Sequence, residues 1–351
     1  MKKRKIGTIT FHWATNYGGV LQAYALQQAL MKLGEDTEII DYVPFRVRAW
    51  IVLDNVKGRR FGEFKKERSI ARFRKERLRL SKRRFASDRS LKKAGSDYTH
   101  IITGSDQVWN YSFVTTHGKK PKLSYFLDFA GEDVKKLSYA ASFGADKMPA
   151  DYSGLVRSQL ERFSAISVRE DTGLEIIRGM GLPACRVCDP TALLTREDYE
   201  KLLPEKGLGA PYVCSYLIHE GQATAKAVES AVRELRSDLA LRRTSPDDGV
   251  TEWLGGISRA ELVVTNSFHG VMLSLLMGTP FIAVPVEGWS MNARVENILR
   301  STGTLQRLVS SADKEAVRKA CEAPIDWDKA NAALEGLRRE GYEYLENCLK
   351  A

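Results

Sequence analysis

Cysteine and histidine are both scarce in this chain, five of each in 351 residues, and neither is grouped in a way that builds a metal site. The cysteines stand at 185, 188, 214, 321 and 348, an odd and scattered set of the kind expected for reduced thiols. Cys185 and Cys188 are the one close pair; zinc would need a second pair or histidines at ligand spacing beside them, so no metal is expected. Long apolar runs are also missing. No window approaches the ~18 uncharged residues of a membrane span, and Met1-Lys2-Lys3-Arg4-Lys5 runs into a short strand rather than a signal-type core, so the expected location is cytoplasmic. Neither GxGxxG nor GxxxxGK[ST] occurs, which argues against a dinucleotide or P-loop enzyme and leaves no cofactor expected.

The chain is too long for one ordinary core and suits two domains of about 150 residues each. Its net charge of +10 is local. Between Lys57 and Lys93 stand 17 Lys and Arg against 4 Asp and Glu, an excess of 13 that leaves the rest of the chain at −3. Phe61, Phe64, Ile70, Phe73, Leu78 and Leu80 recur among these charges at rough helical spacing, the pattern of helices with one apolar and one cationic side. Such a segment fits contact with an anionic membrane surface or with nucleic acid, and it equally fits a solvated arm that packs its Phe and Leu side on the body.

Outside that insertion the pattern is alternating strands and helices. Strands are expected at 6–11, 38–42, 99–103, 137–141 and 165–168, with helices at 20–33, 152–163 and 172–180. A second series has strands at 211–218, 239–242, 261–264 and 281–284, with helices at 225–236, 250–257 and 271–277. This is an α/β protein of two parallel halves, 1–188 and 189–351, with the joint within 189–209, where Pro190, Pro204, Gly207 and Gly209 interrupt the pattern. Trp327, Leu334, Leu337, Tyr344, Leu345 and Leu349 mark an amphipathic helix over 327–349 that could return to the first half.

The candidate chemistry lies at strand ends, where open α/β sheets bind ligands. The first half offers Asn16, Tyr17 and Gly18; Ser105, Asp106 and Gln107; Ser142; and Arg169. Arg169 could hold an anion or pair structurally with the acidic Glu170-Asp171 that follows; Trp109 reads as a packing anchor; and Gly18-Gly19 resembles a phosphate turn. In the second half, Thr265-Asn266-Ser267 is a capping run that sets His269 in the first turn of a helix, where unpaired N–H groups and the positive dipole end favour an anion. The histidine could trade a proton near neutral pH, or serve only as a capping-loop residue. Asn292 and Arg294 follow the last of these strands after a loop containing Gly288.

Five runs in register then resemble a known family. Asn16-Tyr17-Gly18-Gly19-Val20-Leu21-Gln22-Ala23-Tyr24-Ala25-Leu26, Gly104-Ser105-Asp106-Gln107-Val108-Trp109-Asn110, Ser167-Val168-Arg169-Glu170, Asp189-Pro190-Thr191 and Asn266-Ser267-Phe268-His269-Gly270 look like the polysaccharide pyruvyl transferases of bacterial exopolysaccharide synthesis. The resemblance implies two Rossmann-like domains facing each other across a cleft, similar to the GT-B glycosyltransferases. It also implies transfer of pyruvate, as a ketal, from phosphoenolpyruvate onto two hydroxyls of a sugar that could be lipid-linked, without a metal. On this reading His269 handles the proton and Arg169 neutralises the donor, helped by the amides after Asn266 and Ser267. Asn16, Tyr17, Ser105, Asp106 and Gln107 orient the acceptor, with Asp106 an alternative base. Members often carry arginine where this chain has Ser267, and Arg294, beside Asn292, is the residue available in its stead. A nucleotide-sugar glycosyltransferase of the same fold, and a non-enzymatic protein binding anionic lipid or nucleic acid through 57–93, remain the alternatives. Four polar strand-end loops count against the second, since a binding module has no need of them, and nucleic acid is not expected as partner. The cationic arm could instead keep a cytoplasmic enzyme at the inner face of the cell membrane.

Overall fold

Parallel pairing runs through the whole architecture. The computed structural model describes residues 4–45, 61–115, 121–145, 147–205, 209–218, 222–286 and 292–350. The start of the basic segment, the side chains of Phe61 and Phe64, and the loop at Gly288 lie outside the described residues. The chain divides into two compact units, one of Met1–Leu193 with Arg339–Ala351 and the other of Leu194–Arg338.

In the first unit, strands β1 (Ile6–Ile9), β2 (Thr37–Ile39), β3 (His100–Thr103) and β4 (Lys135–Ser138) form a sheet of order β2-β1-β3-β4. The pair β5 (Ser167–Val168) and β6 (Cys185–Arg186) continues beside β4 through the bridges Leu137↔Ala165 and Ala141↔Val168. In the second unit, β7 (Tyr212–Tyr216), β8 (Ala240–Arg243), β9 (Leu262–Thr265) and β10 (Phe281–Ala283) are ordered β10-β9-β7-β8. All these neighbours are parallel. Parallel strands need long crossovers, which cover both sheet faces with helices, and β1, β3 and β9 are buried along their whole length.

The longer helices are α1 (Tyr17–Lys32), α2 (Phe61–Arg77), α3 (Ala150–Leu160), α4 (Asp171–Gly179), α5 (Ala223–Leu235), α6 (Val250–Ser258), α7 (Phe268–Met277), α8 (Asn292–Ser301), α9 (Lys314–Glu322) and α10 (Trp327–Lys350). One expectation fails at the first of them. The helix expected over 20–33 starts earlier, because Asn16 caps the backbone and α1 takes in Gly18 and Gly19, the expected phosphate-like turn, as part of its first turn.

Each sheet has one point where the chain reverses its direction of travel. From β1 the crossover through α1 leads to β2 on one side, and the chain returns to place β3 on the other; β7, β8 and β9 repeat the move. At such switch points the loops diverge and open a crevice at the carboxyl ends. Trp109, fully buried after β3, anchors this region by stacking on Phe126 at 5.1 Å and donating its indole N–H to the Tyr125 carbonyl at 2.9 Å.

The basic segment splits its residues by face. Ile70, Phe73, Leu78 and Phe85 are buried, with Phe73 packed edge-on against Tyr24 of α1. Beyond α2 the chain joins β2 through the bridges Ile39↔Leu80 and Tyr42↔Phe85.

The end of α10 packs within the first unit, where Tyr344 donates its hydroxyl to the Ser138 carbonyl at 2.8 Å. A Cβ on Gly341 would meet the Tyr139 hydroxyl at 2.6 Å and Leu193 Cδ2 at 2.7 Å, and both partners are buried; one on Gly336 would meet nothing within 4 Å. Gly341→Ala should therefore lower stability by about 1–2 kcal/mol, overpacking exceeding the helix gain, whereas Gly336→Ala should raise it by about 0.5–1 kcal/mol. Thermal unfolding of the two variants checks the opposite signs.

Candidate functional site

The first unit's switch point is built on a chain of buried polar contacts. Asn16 caps α1, its Oδ1 accepting from the amides of Gly18 at 2.9 Å and Gly19 at 3.4 Å. Inside the same turn, Gln22 Nε2 donates to the Gly19 carbonyl at 2.8 Å and to Thr10 Oγ1 at 3.0 Å, and Thr10 donates to the Ser105 carbonyl at 2.6 Å. The end of β1, the start of α1 and the loop after β3 are thus tied together. Asp106 lies next to that turn, its Oδ2 3.2 Å from where a Cβ on Gly19 would be. Its backbone is left-handed, with φ 84°, a conformation that strains most residues and that Asp tolerates, and its Oδ1 accepts from the Gln107 amide at 2.8 Å.

The loops after β3 and β4 close on each other. Ser142 N donates to the Asp106 carbonyl and Trp109 N to the Ser142 carbonyl, each at 3.1 Å. Asn110 donates to Gln107 Oε1 at 2.7 Å, and Ser142 Oγ accepts from Gly144 N at 3.1 Å. Asn16, Gly18, Ser105, Asp106, Gln107 and Ser142 therefore share one edge of one sheet. Tyr17 differs, since its ring is buried with the Lys66 ammonium over it at 4.4 Å.

Arg169 is buried at the same edge, with Nη1 donating to Asp189 Oδ2 at 2.8 Å and to Ser105 Oγ at 3.3 Å, and Nε 3.6 Å from Glu170 Oε2. Burial alone would lower its pKa, but Asp189, Glu170 and Asp106 outweigh that and raise it above the ordinary arginine value. Asp189 is held in turn by Thr191, through its amide at 3.0 Å and its hydroxyl at 2.7 Å. An arginine so matched by carboxylates has little charge to spare for an anionic ligand. Its geometry is that of a post supporting Ser105 and bearing on Asp106.

Sequence reasoning missed how the 12–17 loop is held. From α2, Arg74 donates to the Trp13 carbonyl at 2.6 Å and pairs with Glu67, while Thr15 donates to Glu67 Oε2 at 2.7 Å. From the other side His12 Nε2 stands 3.3 Å from Asp41 Oδ1, and Arg84 donates to Asp41 Oδ2 at 2.6 Å. Burial works to raise the Asp41 pKa, yet His12 and Arg84 outweigh it and hold the carboxyl below its usual value. The separations, 61 residues for Arg74 to Trp13 and 43 for Arg84 to Asp41, leave no local signal in the chain.

In the second unit, Ser267 caps α7, its Oγ accepting from Gly270 N at 3.4 Å. Glycine at 270 is a close-approach requirement, since a Cβ there would lie 2.3 Å from Thr265 Oγ1. His269 is half-buried in the first turn of α7, its ring edge-on to Phe268 at 5.4 Å. The Arg294 guanidinium, on α8, lies over the same Phe268 ring at 5.4 Å. One imidazole and one guanidinium thus flank a single aromatic ring beside a helix N-terminus, a grouping suited to a small polyanion.

Two asparagines predicted to meet a ligand are occupied as clamps. Asn266 spans to β7, accepting from Ile218 N at 2.7 Å and donating to the Ile218 carbonyl. Asn292 does the same to Val286, at 2.8 Å in both directions. Each places one donor and one acceptor of its amide on one residue's peptide groups and so fixes the shape of a strand-end loop. Among the described residues no group of three or more His, Cys, Asp and Glu could hold a metal ion, and no helix is long and apolar enough to cross a membrane.

The fold recurs in solved structures. UDP-N-acetylglucosamine 2-epimerase from Rickettsia bellii superposes with a TM-score of 0.55 at 10% identity, covering 99% of this chain and 96% of that one. The enzyme from Neisseria meningitidis bound to UDP-GlcNAc gives 0.53 at 10% identity, over 99% and 100%. That from Methanocaldococcus jannaschii gives 0.52 at 12%, over 97% and 99%. At such identities the likeness speaks for the fold alone: α/β, with two Rossmann-like units of the GT-B type. No curated protein matches this sequence. The family model described as polysaccharide pyruvyl transferase matches residues 16–288, from the Asn16 cap through the His269 turn and past β10, and the chain belongs to that family.

Proposed function

We propose that the protein transfers pyruvate from phosphoenolpyruvate to two hydroxyls of a sugar, forming a ketal and releasing phosphate. The observation that carries this reading is the His269–Phe268–Arg294 grouping at the start of α7, where a proton donor and a cation share one support. Arg294 supplies there a positive charge of the kind the family's arginine would bring to position 267. The donor is a small polyanion, and Arg294 with the amides of the first helical turn would neutralise its carboxylate and phosphate.

The protonated imidazole of His269 gives its proton to the methylene carbon of the enol phosphate. The C2 cation that forms is stabilised by its oxygen, and one sugar hydroxyl attacks it. Phosphate then leaves, and the second hydroxyl closes the ring. Two hydroxyl protons are released: one restores His269 and the other departs with the phosphate. In the first unit, Asp106 beside the Gly18-Gly19 turn, with Asn16, Ser105, Gln107 and Ser142, forms a polar edge suited to sugar hydroxyls. Arg169 is assigned a positioning role, because a donor anion would have to compete for it with Asp189 and Glu170. A second reading, a nucleotide-sugar enzyme, draws on the fold it shares with a UDP-GlcNAc-bound epimerase.

Two measurements test the proposal. Phosphoenolpyruvate at a hundred times its Kd should raise the protein's stability by about 2.7 kcal/mol, seen as a higher unfolding temperature, and Arg294→Ala should remove most of that gain. Stabilisation by UDP-sugars with none by phosphoenolpyruvate would favour the second reading instead. In turnover, His269→Gln should lower kcat by about 10²-fold or more with the unfolding temperature unchanged; activity within a few-fold of wild type would reduce His269 to a helix-start residue.

A further inference from the structure

Helix α2 divides its side chains by purpose. Lys66, Glu67, Ile70, Phe73 and Arg74 turn toward α1 and the 12–17 loop: Ile70 and Phe73 are buried, Lys66 covers the Tyr17 ring, and Arg74 with Glu67 holds the Trp13 carbonyl and the Thr15 hydroxyl. Arg68, Arg72 and Lys75 are exposed, and their spacing of four and three puts them in one row along the opposite face. The row is about 10 Å long at 1.5 Å per residue. Among the described residues nearby, Glu67 pairs with Arg74, Asp36 with Arg79, and Asp41 with His12 and Arg84. Glu76 is the exposed acid among the described side chains of the helix.

We propose that this row docks the protein on an anionic lipid bilayer, with α2 adsorbed along its length and the Asn16 loop held directly behind it. Charge complementarity favours a lipid surface over a nucleic acid. The row is a line of cations along one helix face, and Phe73, the aromatic residue among the helix's described side chains, is turned inward, so no stacking platform accompanies the charges. With Ile70 and Phe73 turned inward as well, the helix would adsorb by charge rather than insert, and binding would be screened by salt. The inference adds to the proposed reaction a surface at which a lipid-linked acceptor would be met. It does not depend on that reaction, because vesicle binding is read without turnover.

The test is co-sedimentation of the full chain with phosphatidylcholine vesicles with and without phosphatidylserine. Binding is expected to the anionic vesicles alone and to weaken as salt rises. The triple variant Arg68→Gln, Arg72→Gln, Lys75→Gln should lower partitioning on the order of a hundredfold, at an unchanged unfolding temperature, since each basic residue near such a surface contributes a comparable increment. Arg68→Glu, Arg72→Glu, Lys75→Glu should lower it further, and should that charge-reversed variant fail to fold, the Gln variant still decides. Equal binding to both vesicle types, no binding to anionic vesicles at low salt, or unchanged partitioning of the Gln variant would overturn the proposal. So would tighter capture of a fluorescent DNA duplex through the same three residues.

Discussion

Parallel strand pairing is the constraint from which the functional edges of both units follow. A parallel neighbour cannot be reached through a two-residue turn, so every connection is a crossover, and helices cover both faces of each sheet. The crossovers from β1 and β7 leave to one side and later return to the other. At those reversals the carboxyl ends of adjacent strands are not filled by a common helix. Each unit consequently carries its polar residues where its chain changes direction: Asn16, Ser105 and Asp106 beside β1 and β3, and Asn266, Ser267 and His269 beside β7 and β9.

An open edge of this kind needs internal support, and the two units solve the problem differently. The first buries a charged network, Arg169 with Asp189, Glu170 and Ser105. Removing one member of such a network leaves a buried charge uncompensated, which costs about 3–5 kcal/mol, so it holds the edge firmly even where its net contribution to stability is small. The second uses neutral amides. Asn266 and Asn292 each satisfy a donor and an acceptor of one strand-end residue, which costs less desolvation than burying charges.

What could be read from the chain alone was whatever is local. The apolar strands, the capping run before Phe268 and the resulting position of His269 in a first helical turn depend on neighbours within four residues, and the structure has them. The first turn of α1 was misjudged because glycine pairs read as turns. Here Asn16 satisfies two amides and so allows Gly18 and Gly19 to continue as helix despite their poor propensity. The partner of Arg169 was also hidden. Acidic neighbours at 170 and 171 drew attention, while the closest carboxylate is Asp189, brought in through β6. Glu67 and Arg74 looked like two more charges in a basic run, and only the tertiary contact of α2 with the 12–17 loop gives them their function as supports.

That contact also bears on why the run is so basic. Like charges three and four residues apart weaken a helix by a few tenths of a kcal/mol per pair, so Arg68, Arg72 and Lys75 do not stabilise α2 on their own account. Solubility does not require them either, since scattered charges of both signs serve it as well. The apolar face of α2 and the Arg74–Glu67 pair already dock the helix, and neither needs the outer row. A feature that slightly opposes the local structure and contributes nothing to its docking is best explained by an external opposite charge, and the rest of the chain, at net −3, supplies little of it.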